Sequence, residues 1–382
     1  MSEIKVNSIK GVGASAAAIT VNNTDGTCTA NITNNLSNRN LIINGAMKVA
    51  QRGTSQNTIS ASGYYTVDRW NTNVVNPNTF RLNQAQSTQS PDGFSNSLSY
   101  SVGSGTEKAI AANERIAIEQ RLEAQDLQKL AYGTSSAKSF TLSFYVRSSR
   151  AGQYGINIRQ HDAGKDYNEK FDISSINTWE RKTITVSGNT GDTITNDNGL
   201  GLWFRILLRA GSNHIGNVNY QSWGTADNDK VPAGQQTTWG TSGSDDFYLT
   251  GVQLELGSVA TDFEHRSFAQ ELPLCQRYFY PFLRGTDNYE NIALGYTYSS
   301  SAGMVFLTPP VEMRDTPTFS ASGTFGANDG SDDTALTFGF EGQGSTRGYR
   351  LTITNFSTSV GRGFQLRAHA NTTSRLDLSA EL

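Results

Sequence analysis

Trp223 and Trp239 fall with Tyr220, Asp227 and Asp229 inside one polar stretch between Arg209 and Ser244. An aromatic face packs against the C–H surface of a sugar ring while neighbouring carboxylates and amides bond its hydroxyls, so these five residues form a candidate carbohydrate-binding set. The competing reading is that both tryptophans simply fold back over an underlying β-structure. A second group, Glu264-His265-Arg266, sets opposite charges around an imidazole. It reads as a charged bracket at an interdomain or intersubunit contact rather than as a general acid–base set. His161, Asp162 and Asp166 have the types of metal ligands, but a loop with scattered polar residues is the usual explanation for such a group. Glu119, Glu123 and Asp126 read as one solvated helix face.

Other chemistry finds no support. The sequence contains no phosphate-binding loop, dinucleotide fingerprint, His-Glu-x-x-His segment or cysteine-pair metal motif, so no cofactor and no metal is expected and the chain is read as a non-enzyme. Cys28 and Cys275 lie in segments assigned to different units, which argues against a disulfide framework. A net charge of -3 without blocks of like charge provides no surface for neutralising phosphates, so a nucleic-acid partner is not expected. No apolar run approaches the length that crosses a bilayer, so membrane insertion is not expected either.

The elements that must position these groups are short strands. Phe140, Leu142, Phe144 and Val146 alternate with polar residues, and Leu200, Leu202, Phe204, Ile206 and Leu208 make a second apolar face. Such strands, joined by polar turns without long helices, predict an all-β chain built on a β-sandwich. In Phe247 to Leu256 the apolar positions change phase at Gly251, which predicts a β-bulge there. Ala124, Leu127 and Leu130 recur at helical spacing and predict a two-turn helix ended near Gly133. Residues 1–38 are too poor in apolar side chains to order alone and read as an extended N-terminal arm. The sandwich is assigned to 39–262, a connector to 263–281 and a second, smaller β-domain to 282–382. Within the latter, Ile292, Leu294, Tyr296 and Tyr298 alternate, and Leu376 to Leu382 reads as a final strand pinned in a sheet.

Several short segments occur together in order: Asn40-Leu-Ile-Ile-Asn-Gly-Ala-Met47, Ala50-Gln-Arg-Gly53, Asp68-Arg-Trp70, Arg121-Leu-Glu-Ala124, Phe140-Thr-Leu-Ser-Phe144, Gly251-Val-Gln-Leu-Glu255 and Phe263-Glu-His-Arg-Ser267. Between about Asn40 and Arg277 they resemble the jelly-roll domain of bacteriophage tail-fibre proteins, which is similar in architecture to carbohydrate-binding modules. The opening Ser2 to Ile9 resembles the attachment end of such fibres, particularly those of marine podovirus-like phages. Pro309 to Pro317 looks like the proline-bounded segment of fibre tip domains. The resemblance implies a virion component assembled in the host cytoplasm, a homotrimer whose N-terminal arm meets other tail or virion proteins and whose far end meets host surface polysaccharide or lipopolysaccharide. A purely structural adaptor or head fibre, and a polysaccharide-degrading tailspike, stay open as alternatives. Related jelly rolls also hold a structural calcium where first and last strands meet, a place Asn44 and Asp246 would occupy, although the family's ligand motif is not matched closely enough here to transfer its ligands.

Overall fold

The structure, a computed structural model, describes residues 6–10, 12, 19–21, 24, 28–30, 38–103, 109–227, 230–232, 234–235, 238–284, 287–330, 334–338, 343–354 and 359–382. Two antiparallel sheets form the predicted sandwich. The first runs, in spatial order, Glu180–Val186, Phe140–Ser148, Asp246–Leu256, Ser97–Val102, Leu82–Ser87, Ser55–Ile59. The second runs Gly224–Thr225, Lys165–Ile173, Gly152–Gln160, Leu200–Ala210, Arg115–Glu123, Asn71–Val75, Gly63–Tyr64. The chain crosses repeatedly from one sheet to the other, in jelly-roll fashion. One core fills the space between them, with Trp70, Phe80, Phe140, Phe144, Phe204 and Phe247 among its buried side chains.

The bulge at Gly251 is present. Ser143 faces Gln253 and Tyr145 faces Thr250, so two residues oppose Phe144, and Phe247, Leu249, Val252 and Leu254 all end up buried. Gly251 has φ +60°, and a Cβ there would stand 2.7 Å from Phe94 and 2.8 Å from Tyr145. Beyond the bulge the strand's other edge is taken by residues 41–45: the Leu41 N–H donates to the Leu254 carbonyl and the Val252 N–H to the Gly45 carbonyl. The predicted helix is a 3₁₀ segment, Ala124–Leu130, that buries Ala124, Leu127 and Leu130 and stops at Ala131 in the left-handed conformation, two residues before Gly133.

The connector contains an α-helix that the sequence reading did not expect, Phe268–Gln276. Ser267 and Gln270 form a reciprocal capping box at its start. The first strand of the second unit starts at Phe279. There, Phe279–Leu283, Arg375–Ser379 and Thr318–Ser322 make a three-stranded sheet. Ala302–Leu307, Asn291–Thr297, Gly363–Ala368, Phe325–Asn328, Thr334–Phe338 and Gly348–Thr354 follow one another around a ring that the pairing of Ala302–Leu307 with Gly348–Thr354 closes into a small barrel. Val305, Leu307, Leu351, Ile353, Phe364 and Leu366 fill it. Near the N-terminus, Ser8–Ile9, Ile19–Val21 and Cys28–Ala30 form a three-stranded sheet, with Val6 and Ile9 exposed.

Candidate functional site

Alternation along a strand gives the seven-stranded sheet two faces. Ile118, Ile156, Ile158, Phe204 and Ile206 point into the core. The residues between them form transverse rows on the opposite face. In one row Asn168, Asn157, Arg205, Glu119 and Asn71 are register partners across five strands. The adjacent row holds Asp166, Arg159, Trp203 and Arg121. A third, on the other side, includes Leu207 and Ala117, and is covered by Val231 and Ile215 from the polar stretch 211–244.

The charges in these rows are paired. Glu119 accepts from both Arg205 and Arg121, and Arg159 grips Asp166 through two bonds of 2.6 and 2.8 Å. Burial alone pushes the Glu119 carboxyl upward, but Arg205 and Arg121 more than offset it and hold it below its ordinary range. Trp203 lies among the guanidiniums of Arg205, Arg159 and Arg121, at 4.4, 5.2 and 5.9 Å from its ring, with the His161 ring at 5.5 Å. Hydrogen-bonding capacity is left over. Trp203 is 8% exposed, and among the described residues its indole N–H meets no acceptor; the Asn157 and Asn71 side-chain oxygens, also buried, meet no donor there. Buried polar atoms are normally satisfied, and these three stand together on one sheet face. Asn157 and Asn71 stand three strands apart, about 14 Å at ordinary strand spacing.

The five residues predicted to bind sugar are distributed differently. Tyr220 bridges to Asn168 at the edge of the amide row, with the Lys170 ammonium 5.3 Å from its ring, and so extends that row outward. Trp223 folds back: its indole donates to the Ser187 carbonyl at 2.7 Å and its ring meets Tyr132 and Tyr167 edge-on or tilted. Trp239 is fully buried in the sandwich core and donates to the Asp246 carbonyl at 3.1 Å. This corrects the expectation for Trp239, which has no free face for a sugar. Asp227 pairs with Lys230 at 3.5 Å, and Asp229 lies outside the described residues.

Glu264, His265 and Arg266, expected at an interdomain or intersubunit contact, bond within this chain to the entry of the sandwich. Glu264 accepts from the Asn38 and Asn40 amides, Arg266 donates to the Asn40 and Ile42 carbonyls, and His265 packs on Phe94 and Phe263. The residues suggested for calcium do not meet. The Asn44 amide is spent on Val49 and Asp68, and its neighbour Gly45 bonds Val252, six residues along the strand from Asp246. Asp162 bonds Thr195, and Asp166 serves Arg159, so neither joins His161 in a metal-binding group. The signal for the sheet-face site was in the sequence: Trp203 and Arg205 alternate with Leu202, Phe204 and Ile206, as Asn157 and Arg159 alternate with Ile156 and Ile158.

No protein-family model matches the sequence, and no curated protein matches it. Among solved structures it is similar to the enzymatically active domain of tailspike protein 4 from bacteriophage CBA120, with 9% identity over 57% of this chain and 21% of that chain and a TM-score of 0.29. It is also similar to a family 11 carbohydrate-binding module from Clostridium thermocellum in complex with a mixed-linked tetrasaccharide, with 10% identity over 56% of this chain and 98% of that one and a TM-score of 0.25. The CBM22-2 xylan-binding domain from Paenibacillus barcinonensis Xyn10C shares 12% identity over 49% of this chain and 91% of its own, with a TM-score of 0.27. The chain thus spans about a fifth of the length of that tailspike domain.

Proposed function

We propose that this chain is a non-enzymatic adhesion protein of a phage virion, a fibre component that holds a host-surface glycan along the outer face of the seven-stranded sheet. The observation that carries the reading is the polar outer face of this sheet, where among the described residues the Trp203 indole N–H and the Asn157 and Asn71 side-chain oxygens meet no partner. Paired charges favour a hydroxyl-rich ligand over a strongly ionic one, because every carboxylate in the two rows already has its arginine. Binding fits better than hydrolysis: a glycosidase needs one carboxyl kept protonated near neutral pH, and Glu119 is driven the opposite way. The resemblance of residues 40–277 to phage fibre jelly rolls supports the virion setting, with the N-terminal arm at the particle and three chains per fibre.

A glycan array probed with the purified chain, followed by titration of the best ligand, tests the site. Trp203→Ala is expected to lower affinity about tenfold or more, which is about 1.4 kcal/mol. Unchanged affinity in that variant sinks the assignment. Sedimentation equilibrium at micromolar concentration is expected to give the trimer mass, and a stable monomer there removes the fibre reading.

A further inference from the structure

On the barrel of the second unit, the alternation in Asn291–Thr297 runs opposite to what its apolar pattern suggests. A register shift between Asn291 and Ala293 turns Leu294 and Tyr296 outward, 74% and 45% exposed, while Thr297 is buried. Phe306, on the neighbouring strand, is 59% exposed as well. These side chains are not surrounded by apolar ones alone. Leu294 is the register partner of Gln365, and Gln365 of Asn328, so an aliphatic group and two amides stand in one row across three strands. Tyr296 faces Gly363, where a Cβ would find nothing nearer than the Gly295 carbonyl at 3.9 Å, so no side chain crowds the ring from that strand. Beside them opens a cleft of about 500 Å³ lined by Leu294, Gln365, Asn328, Asp329, Gly330 and Gly363. Asp329 is ion-paired to Arg362 at 3.0 Å, and the Asn328 side-chain oxygen receives the Gly330 N–H at 2.9 Å, which fixes the cleft's polar wall.

We propose that this cleft is a second carbohydrate-binding site, independent of the one on the sandwich, and that it takes a neutral sugar. Its volume lies within the range of small-molecule sites, and its make-up matches the two sides of a pyranose. Leu294 lines the cleft as an apolar patch for the C–H face, and exposed Tyr296 stands two residues along the same strand. Gln365, Asn328 and the arginine-neutralised Asp329 offer donors and acceptors for hydroxyls. Glycines at 330 and 363 let a ligand approach the backbone closely. A second copy of the chain is the less suitable occupant, because flat apolar packing there would strip water from the amides of Gln365 and Asn328 without assured partners.

The test uses the full chain and saturation-transfer NMR with neutral trisaccharides of glucose, galactose and mannose at millimolar concentration. Wild type, Trp203→Ala, Tyr296→Ala, Gln365→Ala and the double variants Trp203→Ala/Tyr296→Ala and Trp203→Ala/Gln365→Ala are compared. The expected result is signal that survives in Trp203→Ala and drops at least about fivefold from that level in each double variant. Tyr296 and Gln365 are exposed, so these changes leave the fold intact. If Trp203→Ala alone abolishes all binding, the sandwich site stands and this proposal falls. If Tyr296→Ala alone abolishes all binding, the reverse holds. Absence of binding by every trisaccharide overturns the proposal, as does a change of oligomeric state in Tyr296→Ala with sugar binding intact, which makes the face a contact between copies.

Discussion

Asp68 shows how one buried carboxylate makes the fold sensitive to pH. It is fully buried, accepts from the Gln51 backbone at 3.3 Å and side chain at 2.8 Å, and faces Arg52 at 3.2 Å. Burial pushes its pKa up to about 6, with Arg52 and Gln51 offsetting part of the effect. A folded-state pKa above the unfolded one means the native protein binds the extra proton. Stability from this group is therefore fully present below about pH 4 and is lost as pH rises through about 6. The loss amounts to about 3 kcal/mol by linkage. Asp68→Asn removes the titration, so the variant should gain on wild type between about pH 4 and 6 and run parallel outside that window. Urea midpoints measured across the range decide it: curves parallel throughout place the sensitivity elsewhere. Glu119 titrates with the opposite sign, which is why the comparison must be between variant and wild type rather than between two pH values of one protein. At this scale the sequence was a poor guide. Trp239 in a polar stretch is compatible with a sugar platform or with a plug, and only the surrounding core shows that it is a plug.

Among the elements, the closing strand Asp246–Leu256 depends on one glycine. At Gly251 a side chain meets two penalties, the left-handed backbone at φ +60° and overlap with Phe94 and Tyr145. Gly257 separates them, since its φ is +100° and a Cβ there meets nothing within 4 Å. Gly257→Ala should cost about 1 kcal/mol from backbone conformation alone, and Gly251→Ala about 2 kcal/mol or more beyond that from overpacking. Chemical denaturation of both variants checks the difference, and equal costs would show that Phe94 and Tyr145 yield freely. This bulge was legible because a phase change in the apolar pattern is a local signal. The helix Phe268–Gln276 was legible in principle through Ser267 and Gln270, a capping-box spacing, but Pro273 and the charges before it hid the helical period. The outward turn of Leu294 and Tyr296 was not legible. It depends on a register shift at Asn291 and on closure of a barrel by strands about fifty residues apart, neither of which leaves a mark in a short window.

For the whole molecule, the question is what couples the sandwich to the second unit. Here the segments that carried the resemblance to phage fibres take on a physical role. Arg52 lies 3.6 Å over the Phe279 ring and pairs with Glu381 at 3.0 Å; Arg69 lies 3.4 Å over the Tyr278 ring and also holds Glu381. Glu123 receives two bonds of 2.8 Å from Arg277 and a third from the Tyr278 hydroxyl. From the second unit, Arg314 reaches the carbonyls of Ala380 at 2.7 Å and Asn198 at 2.9 Å. The joint is thus built of arginines stacked on aromatic rings and anchored to carboxylates, and the sequence named several of its members without revealing that they converge. Removing one partner of a buried ion pair strands the other, at a cost of about 3–5 kcal/mol, whereas replacing both with apolar groups of similar size is often nearly neutral. Arg69 is fully buried, so Arg69→Ala should weaken the coupling and split thermal unfolding into two transitions in calorimetry where wild type shows one. Arg69→Met with Glu381→Leu should recover most of the lost stability, because Glu381 is no longer left buried beside an empty place. Arg52 limits that recovery, since it loses Glu381 and keeps only Asp68 and the rings beside it. If Arg69→Ala unfolds in a single transition at the wild-type temperature, the two units are coupled by the packing around Phe279 and Tyr278 and not by these charges.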